Sequence, residues 1–350
     1  MKKYYFAIII ILFSSVAPVF SDKRGTAGAA FLKLPIGAQP NALGGSFAAG
    51  QGGISIFWNP AGLFYLEQNE INLDSALWVE DVRIGSLAMS FPIRDRKSIP
   101  QKKYPAKRRM INPAARTSKF STKKLGVFSA GLIYLDAGTQ PVTTLTAQDV
   151  LVSTNKTVSA NDLALYFSFC KNWADFSLGS NLKFIQSTLA DYTAQAAALD
   201  LGGYWILKKV TNKKLFTAGL ALQNIGTPLD FRQDTSARDS LPFQIKGGLK
   251  YMQNNFSYLA DLNKSLDGDI KLSLGMEYRL PDFGFFRLGY KVLEPNIKYW
   301  GRLIDAFSLG FGLPISFIGG EFNYGYSSYG DFGLVHNFSL KFNFDANLRK

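Results

Sequence analysis

The sequence contains one cysteine, Cys170, and one histidine, His336, among its 350 residues. A single cysteine cannot form an intramolecular disulfide, so the fold does not rest on the cross-links that many exported β-sandwiches use. The histidine has no cluster of Cys, Asp or Glu around it at metal-ligand or triad spacing. We therefore predict that the protein is not an enzyme and has neither a metal site nor a cofactor.

After residue 22 the sequence also has no run of about eighteen apolar residues, the minimum for a membrane-spanning helix. Hydrophobic residues nevertheless make up 47% of the chain and aromatic residues 14%. Inside lipid only helices and closed barrels satisfy every backbone hydrogen bond. The composition therefore favours a membrane-embedded β-barrel, with a soluble β-sandwich as the competing fold.

The first residues have the organisation of an export signal. Lys2 and Lys3 precede an apolar stretch over residues 6–19, and residues 19–21 have the small-residue spacing that signal peptidase accepts. We expect residues 1–21 to be a signal peptide. The alternative is an uncleaved membrane anchor, for which the apolar stretch is short against a span of about 30 Å.

Most of the remaining chain alternates apolar and polar residues with a period of two. Near the end, Phe338, Leu340 and Phe342 alternate with Ser339 and Lys341. This pattern gives a strand one apolar and one polar face. The predicted strands are 70–78, 82–93, 125–136, 160–169, 173–187, 196–207, 214–224, 243–251, 254–262, 271–279, 284–293, 305–312, 318–327 and 335–346. We predict an all-β fold, a transmembrane antiparallel β-barrel of about 14 strands over residues 70–346, followed by a tail at 347–350.

The connections between these strands alternate in length. Outer-membrane barrels have short periplasmic turns and longer external loops. The longer connections include 137–159 and 225–242, and the shorter ones include 171–172, which places Cys170 at a turn. An even number of strands returns both termini to the periplasm. We therefore predict that the protein lies in the bacterial outer membrane, in contact with its lipids.

The connection 94–124 does not fit this alternation of short and long connections, because it is long although it falls on the periplasmic side. It holds twelve basic residues and one acid, Asp95, a net charge of +11 against +13 for the whole chain. We interpret it as a disordered, solvated periplasmic connection. Contact with anionic lipid or with an acidic periplasmic or secretion partner is the alternative. No nucleic-acid partner is expected, since no recognition fold accompanies the tract.

Residues 22–69 have a different character, with many glycines among large apolar residues. The large apolar residues are Phe31, Leu34, Phe47, Ile56, Phe57 and Trp58. The segment is too small to bury a core of its own and too apolar to remain in water. A barrel of fourteen strands is too wide for its own side chains to fill. We therefore predict that residues 22–69 form a hatch inside the lumen.

One part of this segment resembles a known family. Residues 55–63 read Ser-Ile-Phe-Trp-Asn-Pro-Ala-Gly-Leu and follow glycine-containing apolar stretches at 25–33 and 42–47. They resemble the start of FadL-type outer-membrane proteins, in which a hatch with an Asn-Pro-Ala motif precedes a fourteen-stranded barrel. The resemblance implies a hatch motif formed by Asn59, Pro60, Ala61 and Gly62. Because an aromatic residue precedes Asn59, the motif resembles more closely that of the PorV-like branch and of FadL-like proteins of spirochaetes.

The two branches imply different functions. The resemblance to FadL-like proteins implies passive uptake of hydrophobic small molecules such as long-chain fatty acids, which would leave through the bore or through a gap in the wall. In such a channel the six large apolar residues of the hatch would line a hydrophobic pocket for the ligand. Packing of the same side chains against the barrel wall is the alternative. Glycine pairs at 202–203, 247–248 and 319–320 are candidate kinks for such a gap, or room for the hatch. The PorV-like branch suggests a component of type IX secretion that binds and shuttles exported proteins. A structural barrel with a closed hatch is the third alternative.

Overall fold

The computed structural model describes residues 27–78, 82–98, 120–145, 151–211, 214–231, 238–292, 307–329 and 333–344. The predicted signal peptide, residues 99–119 of the basic tract and the predicted C-terminal tail lie outside the described residues.

The described residues form fourteen antiparallel strands that close into a barrel. The strands are β1 (Asn69–Leu77), β2 (Arg83–Ser98), β3 (Phe120–Leu145), β4 (Leu151–Trp173), β5 (Phe176–Leu189), β6 (Tyr192–Thr211), β7 (Lys214–Gly226), β8 (Gln244–Gln253), β9 (Phe256–Ser265), β10 (Ile270–Leu280), β11 (Gly284–Val292), β12 (Phe307–Ile315), β13 (Gly320–Ser328) and β14 (Leu334–Phe344). Each strand pairs with its neighbours in sequence, and β1 pairs with β14 from Asn69 opposite Phe344 to Leu77 opposite His336. The predicted fold class is confirmed.

The two-residue period gives this barrel an apolar outer surface. On β12, Phe307, Leu309 and Phe311 are exposed on the outside, while Ser308 between them is completely buried on the inside. Polar side chains occupy the inner positions of most other strands. Lipid requires a closed wall that has an apolar exterior and no unpaired strand edge. The protein is therefore an outer-membrane β-barrel.

We call the end of the barrel at which β1 begins the near end, and the opposite end the far end. At the far end, β3 and β4 extend well beyond their predicted limits of 125–136 and 160–169. The connection predicted at 137–159 is mostly a β-hairpin, paired as far as Leu145 opposite Leu151. The sequence over 137–159 is mainly polar or β-branched at odd and even positions alike. Such residues favour strands by propensity but lack the alternation that the prediction required.

At the near end, both borders of the basic tract also differ from the prediction. β2 runs to Ser98 and β3 begins at Phe120, so these parts of the tract belong to strands and not to a disordered connection. Arg94 and Lys124 contact the Glu67 carboxylate at 3.1 and 3.3 Å. Burial alone would raise the pKa of Glu67, but Lys124 and Arg94 outweigh it and lower that pKa.

Two further predictions of turns and kinks were wrong. Cys170 does not lie at a turn, because β4 continues to Trp173, and its buried thiol donates to the carbonyl oxygen of Ala61 at 3.4 Å. Gly319 is not inside a strand either, since it forms a left-handed turn before β13 with a φ of 61°.

Residues 27–66, which we call the inner segment, occupy the lumen. The segment contains one α-helix, α1 (Ala38–Ala42), and 3₁₀ helices at Ala30–Lys33, Gly53–Phe57 and Pro60–Tyr65. Helix α1 contacts β11 to β14, and the last two 3₁₀ helices contact β1 to β7. The segment therefore touches the wall on all sides. No helix among the described residues is long and apolar enough to cross a membrane.

Glycines on the inner wall let the backbone of the inner segment touch the backbone of the strands. A Cβ atom on Gly289 would lie 2.0 Å from the backbone nitrogen of Gly44, and one on Gly219 would lie 2.0 Å from the Ala48 carbonyl oxygen. The inner segment also approaches closely at Gly179, Gly275 and Gly325 with its backbone, and at Gly202 and Gly310 with the side chains of Asn59 and Ala42. We call these seven residues the glycine belt. Any side chain at these positions would have to displace the inner segment.

We expect Gly289→Ala to destabilise the protein by about 1–3 kcal/mol, the usual cost of overpacking. The added methyl group collides with backbone, which cannot rotate away. Urea unfolding in liposomes, followed by tryptophan fluorescence, measures the loss. Gly85→Ala is the matched control, because its Cβ would meet no atom within 4 Å. Equal stability of the two variants would show that the belt does not seat the inner segment.

Candidate functional site

Polar side chains of the wall hold the backbone of the inner segment. The Asp261 carboxylate accepts hydrogen bonds from the backbone nitrogens of Phe47 and Ala48 at 2.7 and 2.6 Å. Glu70 accepts one from Gly53 at 2.7 Å. Short 3₁₀ helices leave many backbone groups without internal partners, and buried backbone groups need partners. The wall supplies these partners, which fixes the segment in one position.

The residues of the expected hatch motif also have a structural role here. The Asn59 side chain accepts from Ala61 at the start of the 3₁₀ helix Pro60–Tyr65 and donates to the carbonyl oxygens of Ala48 and Gly203 at 2.7 and 3.1 Å. Pro60 occupies the first helical position, where its missing N–H costs nothing.

The last two motif residues are packed tightly against their surroundings. Ala61 is completely buried. A Cβ atom on Gly62 would lie 2.4 Å from the carbonyl oxygen of Gly50, so only glycine fits there. None of the four motif residues lines the cavity described next.

Between the inner segment and the far half of the wall lies a cavity of about 400 Å³, which we call the lumenal cavity. One side of it is apolar. Its large apolar side chains are Leu32, Leu34, Ile36, Phe57, Trp58, Trp78 and Ile133. The size falls within the range of about 300–1,000 Å³ that is typical of ligand pockets. An apolar molecule of moderate size therefore fits this space.

The opposite side of the lumenal cavity carries charged side chains, lysines together with the carboxylates of Asp261, Asp267 and Asp269. Lys246 Nζ lies 4.8 Å from the centre of the Trp58 ring. Lys291 Nζ lies 3.1 Å from the Tyr329 hydroxyl and 4.2 Å from the centre of that ring. Both lysines are 8% exposed, and neither forms an ion pair with a described acid. Aromatic rings compensate a buried ammonium only in part, so an anion is the complementary partner.

Unpaired hydrogen-bond donors face the same space. The indole nitrogen of Trp78 and the amide nitrogen of Gln244 are buried and have no partner among the described residues. Gln244 and Lys246 lie on the same inner face of β8. Buried donors without partners are costly in a folded protein. Both nitrogen atoms are enclosed, so the acceptor oxygens of a ligand would reach them only after the two side chains turn toward the cavity.

An ion pair closes part of the cavity rim. Asp267 lies in the connection between β9 and β10. Its carboxylate contacts Lys33 of the inner segment at 2.5 Å. Burial alone would raise the pKa of Asp267, but the hydrogen bonds from Lys33 and Ser265 outweigh it and lower that pKa. This pair fastens the inner segment to the far-end rim.

A second apolar space of about 460 Å³, the far-end cavity, lies next to the first. Phe31, Leu34, Leu135 and Phe231 are among its lining residues. Ala30 and Leu34 line both cavities. A path from the far end to the lumenal cavity would therefore pass these two residues.

Four of the six predicted pocket residues line these cavities. Phe31 lines the far-end cavity, Leu34 lines both, and Phe57 and Trp58 line the lumenal cavity. Phe47 and Ile56 line neither. The Phe47 ring packs edge-on against Trp58 at 6.0 Å, and Ile56 is completely buried, with its carbonyl oxygen bound by Asn181 at 2.8 Å.

The sequence prediction did not include the polar residues of the site. Lys246, Lys291, Trp78, Gln244 and Tyr329 come from four different places in the chain. The sequence offered one indication of these residues. At Lys246 and Lys291 the alternation of apolar and polar residues places a lysine on the lumenal face of the strand. Such positions are common in a barrel with a polar interior.

The wall is irregular beside one of the glycine pairs. The register of β6 with β7 shifts between Leu199 and Leu201, next to the pair at 202–203. There the buried Asp200 carboxylate contacts Lys183 at 2.8 Å and accepts from the Asn224 backbone at 2.8 Å. The pair at 247–248 lies where β8 is in regular register with both neighbours. A lateral opening at any of these places stays a prediction.

Comparison with known proteins gives structural relatives only. No protein-family model matches the sequence, and no curated protein matches it. Among solved structures, the TodX deltaS2S3 mutant, a monoaromatic hydrocarbon channel, is similar with a TM-score of 0.55 and 13% identity, over 88% of this chain and 99% of that chain. The TodX deltaS2 mutant channel gives 0.50 and 12%, over 88% and 98%.

At these identities the similarity shows the fold, which is FadL-like. The two relatives are monoaromatic hydrocarbon channels. The similarity does not separate the PorV-like branch from the others.

We expect Asp267→Asn to loosen the inner segment at the far-end rim. A partly exposed ion pair contributes up to about 1 kcal/mol, so amide exchange at Leu34 should accelerate about fivefold in hydrogen-exchange mass spectrometry at pH 7. Because the pKa of Asp267 is lowered in the folded protein, this contribution is complete above the ordinary carboxyl pKa of about 3.9 and is lost as the pH falls through the lowered value.

The difference between Asp267→Asn and the wild type should therefore disappear only below about pH 4. Asp282→Asn, in an exposed near-end turn, is the control and should exchange like the wild type. Unchanged exchange in Asp267→Asn would contradict a fastening role for the Lys33 contact.

Proposed function

We propose that the protein is an outer-membrane channel for the passive uptake of hydrophobic small molecules with an anionic head group, such as long-chain fatty acids. The observation that carries this proposal is the lumenal cavity. Its apolar wall faces two buried lysines, neither of which forms an ion pair with a described carboxylate, although Asp261, Asp267 and Asp269 also line the cavity. The FadL-like fold, shared with hydrocarbon channels, supports passage of a hydrophobic molecule.

The apolar wall supplies the larger part of the affinity. Each methylene group that moves from water to an apolar site contributes about 0.8 kcal/mol. The inner segment provides Leu34, Phe57 and Trp58 for this contact. A chain of several methylene groups would therefore bind here without any polar contact, and the affinity would rise with chain length.

The lysines then select the head group. A hydrogen bond to a charged group is worth about 1.5–3 kcal/mol, which is a factor of about 10 to 150 in affinity. Lys246 lies over the Trp58 ring, so one ligand can contact the ring with its chain and the ammonium with its carboxylate. The donors of Gln244 and Trp78 would bind the remaining oxygen lone pairs.

The route follows from the cavities and the glycine belt. A ligand would pass from the far-end cavity to the lumenal cavity beside Ala30 and Leu34. Below that level the inner segment touches the wall at Gly219 and Gly289, which leaves no space between the two backbones there. Release would require movement of the inner segment, acting as a hatch, or an opening in the wall, with the irregular β6–β7 pairing as the candidate.

The secretion function implied by the PorV-like branch stays a prediction. It assigns the activity to surfaces such as residues 225–242 and the basic tract, and not to the lumenal cavity. Binding of a fatty acid in the lumen is therefore the property that separates the two functions.

The test compares two ligands with the same chain and different heads. We expect purified protein to bind labelled oleate saturably, and the double variant Lys246→Gln/Lys291→Gln to bind it about 10- to 100-fold more weakly, while binding of oleyl alcohol changes little. Lys156→Gln, on the exposed far-end hairpin, is the charge control and should match the wild type.

Two results would count against the proposal. If oleate and oleyl alcohol bind equally well to wild type and variant, the lysines do not select an anionic head. If neither ligand binds in detergent or in liposomes, the uptake function itself is wrong, and the secretion function becomes the better hypothesis.

A further inference from the structure

A group of lysines lies on the outer wall of the barrel at its near end. Lys208 on β6 is directly opposite Phe216 on β7, whose ring packs against Tyr251 on the outer face. Residues opposite one another in a sheet point to the same face, so Lys208 faces outward. By the two-residue alternation, Lys214 shares the outer face with Phe216.

Lys171 extends this group around the barrel. It lies on β4 between Phe169 and Trp173, which are both exposed on the outer face. The three lysines therefore occupy one sector of the wall, from β4 to β7. We call Lys171, Lys208 and Lys214 the outer lysines.

The outer lysines have no acidic partners among the described residues. Other basic residues at the same end do have such partners. Arg94 contacts Glu67 at 3.1 Å and Lys341 contacts Glu321 at 2.7 Å. The sector from β4 to β7 therefore carries net positive charge toward the surrounding membrane, with Asp175 in the β4–β5 turn as its exposed acid.

Aromatic residues place the outer lysines at the level of the lipid head groups. Trp173 is 52% exposed, and the Lys171 ammonium lies 5.3 Å from the centre of its ring. The Trp205 and Phe176 rings pack at 5.1 Å on the neighbouring strands. Tryptophan and tyrosine rings concentrate at the membrane–water interface. A lysine beside such a ring has lipid phosphates within reach.

A groove for an acyl chain begins at the same place. It has a volume of about 520 Å³ on the outer wall, and its lining is almost wholly apolar. Phe216, Tyr251 and Tyr258 line its near-end part, and Leu274, Leu288 and Phe307 line it further along. Ala260, opposite both Leu249 and Leu274, leaves the depression between these larger side chains.

We propose that this groove and the outer lysines form a binding site for an anionic phospholipid. An acyl chain lies along the groove, and the phosphate contacts Lys208 and Lys214, which are diagonal neighbours across two strands. Residues in that relation lie about 7–8 Å apart, so two flexible ammonium groups can meet at one phosphate. Lys171 adds to the local attraction for negative charge.

Charge complementarity favours a phospholipid with net negative charge over a zwitterionic one. Each lysine near an anionic membrane surface contributes about a fivefold increase in affinity. The groove accepts the acyl chains of both lipids equally. Selectivity must therefore come from the lysines, and retention in the groove from the shape of the wall.

The test is native mass spectrometry of the full-length protein released from mixed micelles that hold phosphatidylglycerol and phosphatidylethanolamine with identical chains. We expect retention of phosphatidylglycerol in preference to phosphatidylethanolamine. The double variant Lys208→Gln/Lys214→Gln should weaken this retention about 25-fold. The control Lys156→Gln/Arg238→Gln removes the same charge from exposed far-end positions and should keep it.

A third variant separates the groove from the charge. Ala260→Phe fills the groove without changing any lysine, and we expect it to reduce retention of both lipids. A heat-dependent shift in gel migration verifies that each variant is folded. The proposal is overturned if the two lipids are retained equally by the wild type, if Lys208→Gln/Lys214→Gln keeps the preference, or if the control pair loses it to the same extent.

Discussion

The structure depends on close contact between two backbones, that of the inner segment and that of the barrel wall. A side chain at Gly219 or Gly289 would occupy the place of the backbone at Ala48 or Gly44. Glycine at these positions brings peptide groups of the segment within hydrogen-bond distance of wall side chains such as Asp261 and Glu70. Since buried backbone groups must be paired, contact and hydrogen bonding reinforce each other.

This contact decides where space remains in the lumen. The segment is pressed against the wall at the level of the glycine belt, and the lumenal cavity opens where the segment leaves the wall. At the lumenal cavity the wall carries Lys246 and Lys291, whereas the inner segment carries Phe57 and Trp58. An amphipathic cavity is the consequence of placing an apolar segment inside a barrel whose inner face is polar. Its two sides suit the two parts of an amphipathic ligand.

The outside of the barrel uses the same alternation for a different purpose. Along β12 every second residue is a large apolar side chain that faces lipid. Near the rim of β6 and β7 the outward positions change to lysine, beside aromatic rings. The change from apolar to basic marks the border of the hydrocarbon layer, where water and head groups can solvate charge. One repeated pattern thus sets both the depth of the protein in the membrane and the chemistry of its rim.

The prediction of strands from the sequence succeeded where one face meets lipid and failed where neither face does. On β12 the alternation of Phe and Leu with Ser and Gly leaves no other arrangement in a membrane. At residues 139–143 and 156–159 nearly all side chains on both faces are exposed, and the two-residue period disappears although the strands continue. Cys170 was misplaced for a related reason, because polar Lys171 and Asn172 are compatible with a turn and with a strand end near the rim.

The sequence by itself determined the fold class, the approximate number of strands and the presence of an apolar glycine-rich segment that cannot stand alone. These properties depend on local periodicity and composition, which each short stretch carries within itself. Only the tertiary structure decided that Phe57 and Trp58 face a cavity while Phe47 and Ile56 do not, and that lysines from β8 and β11 complete it. Such neighbours are separated by more than 180 residues in sequence, and barrel closure alone brings them together.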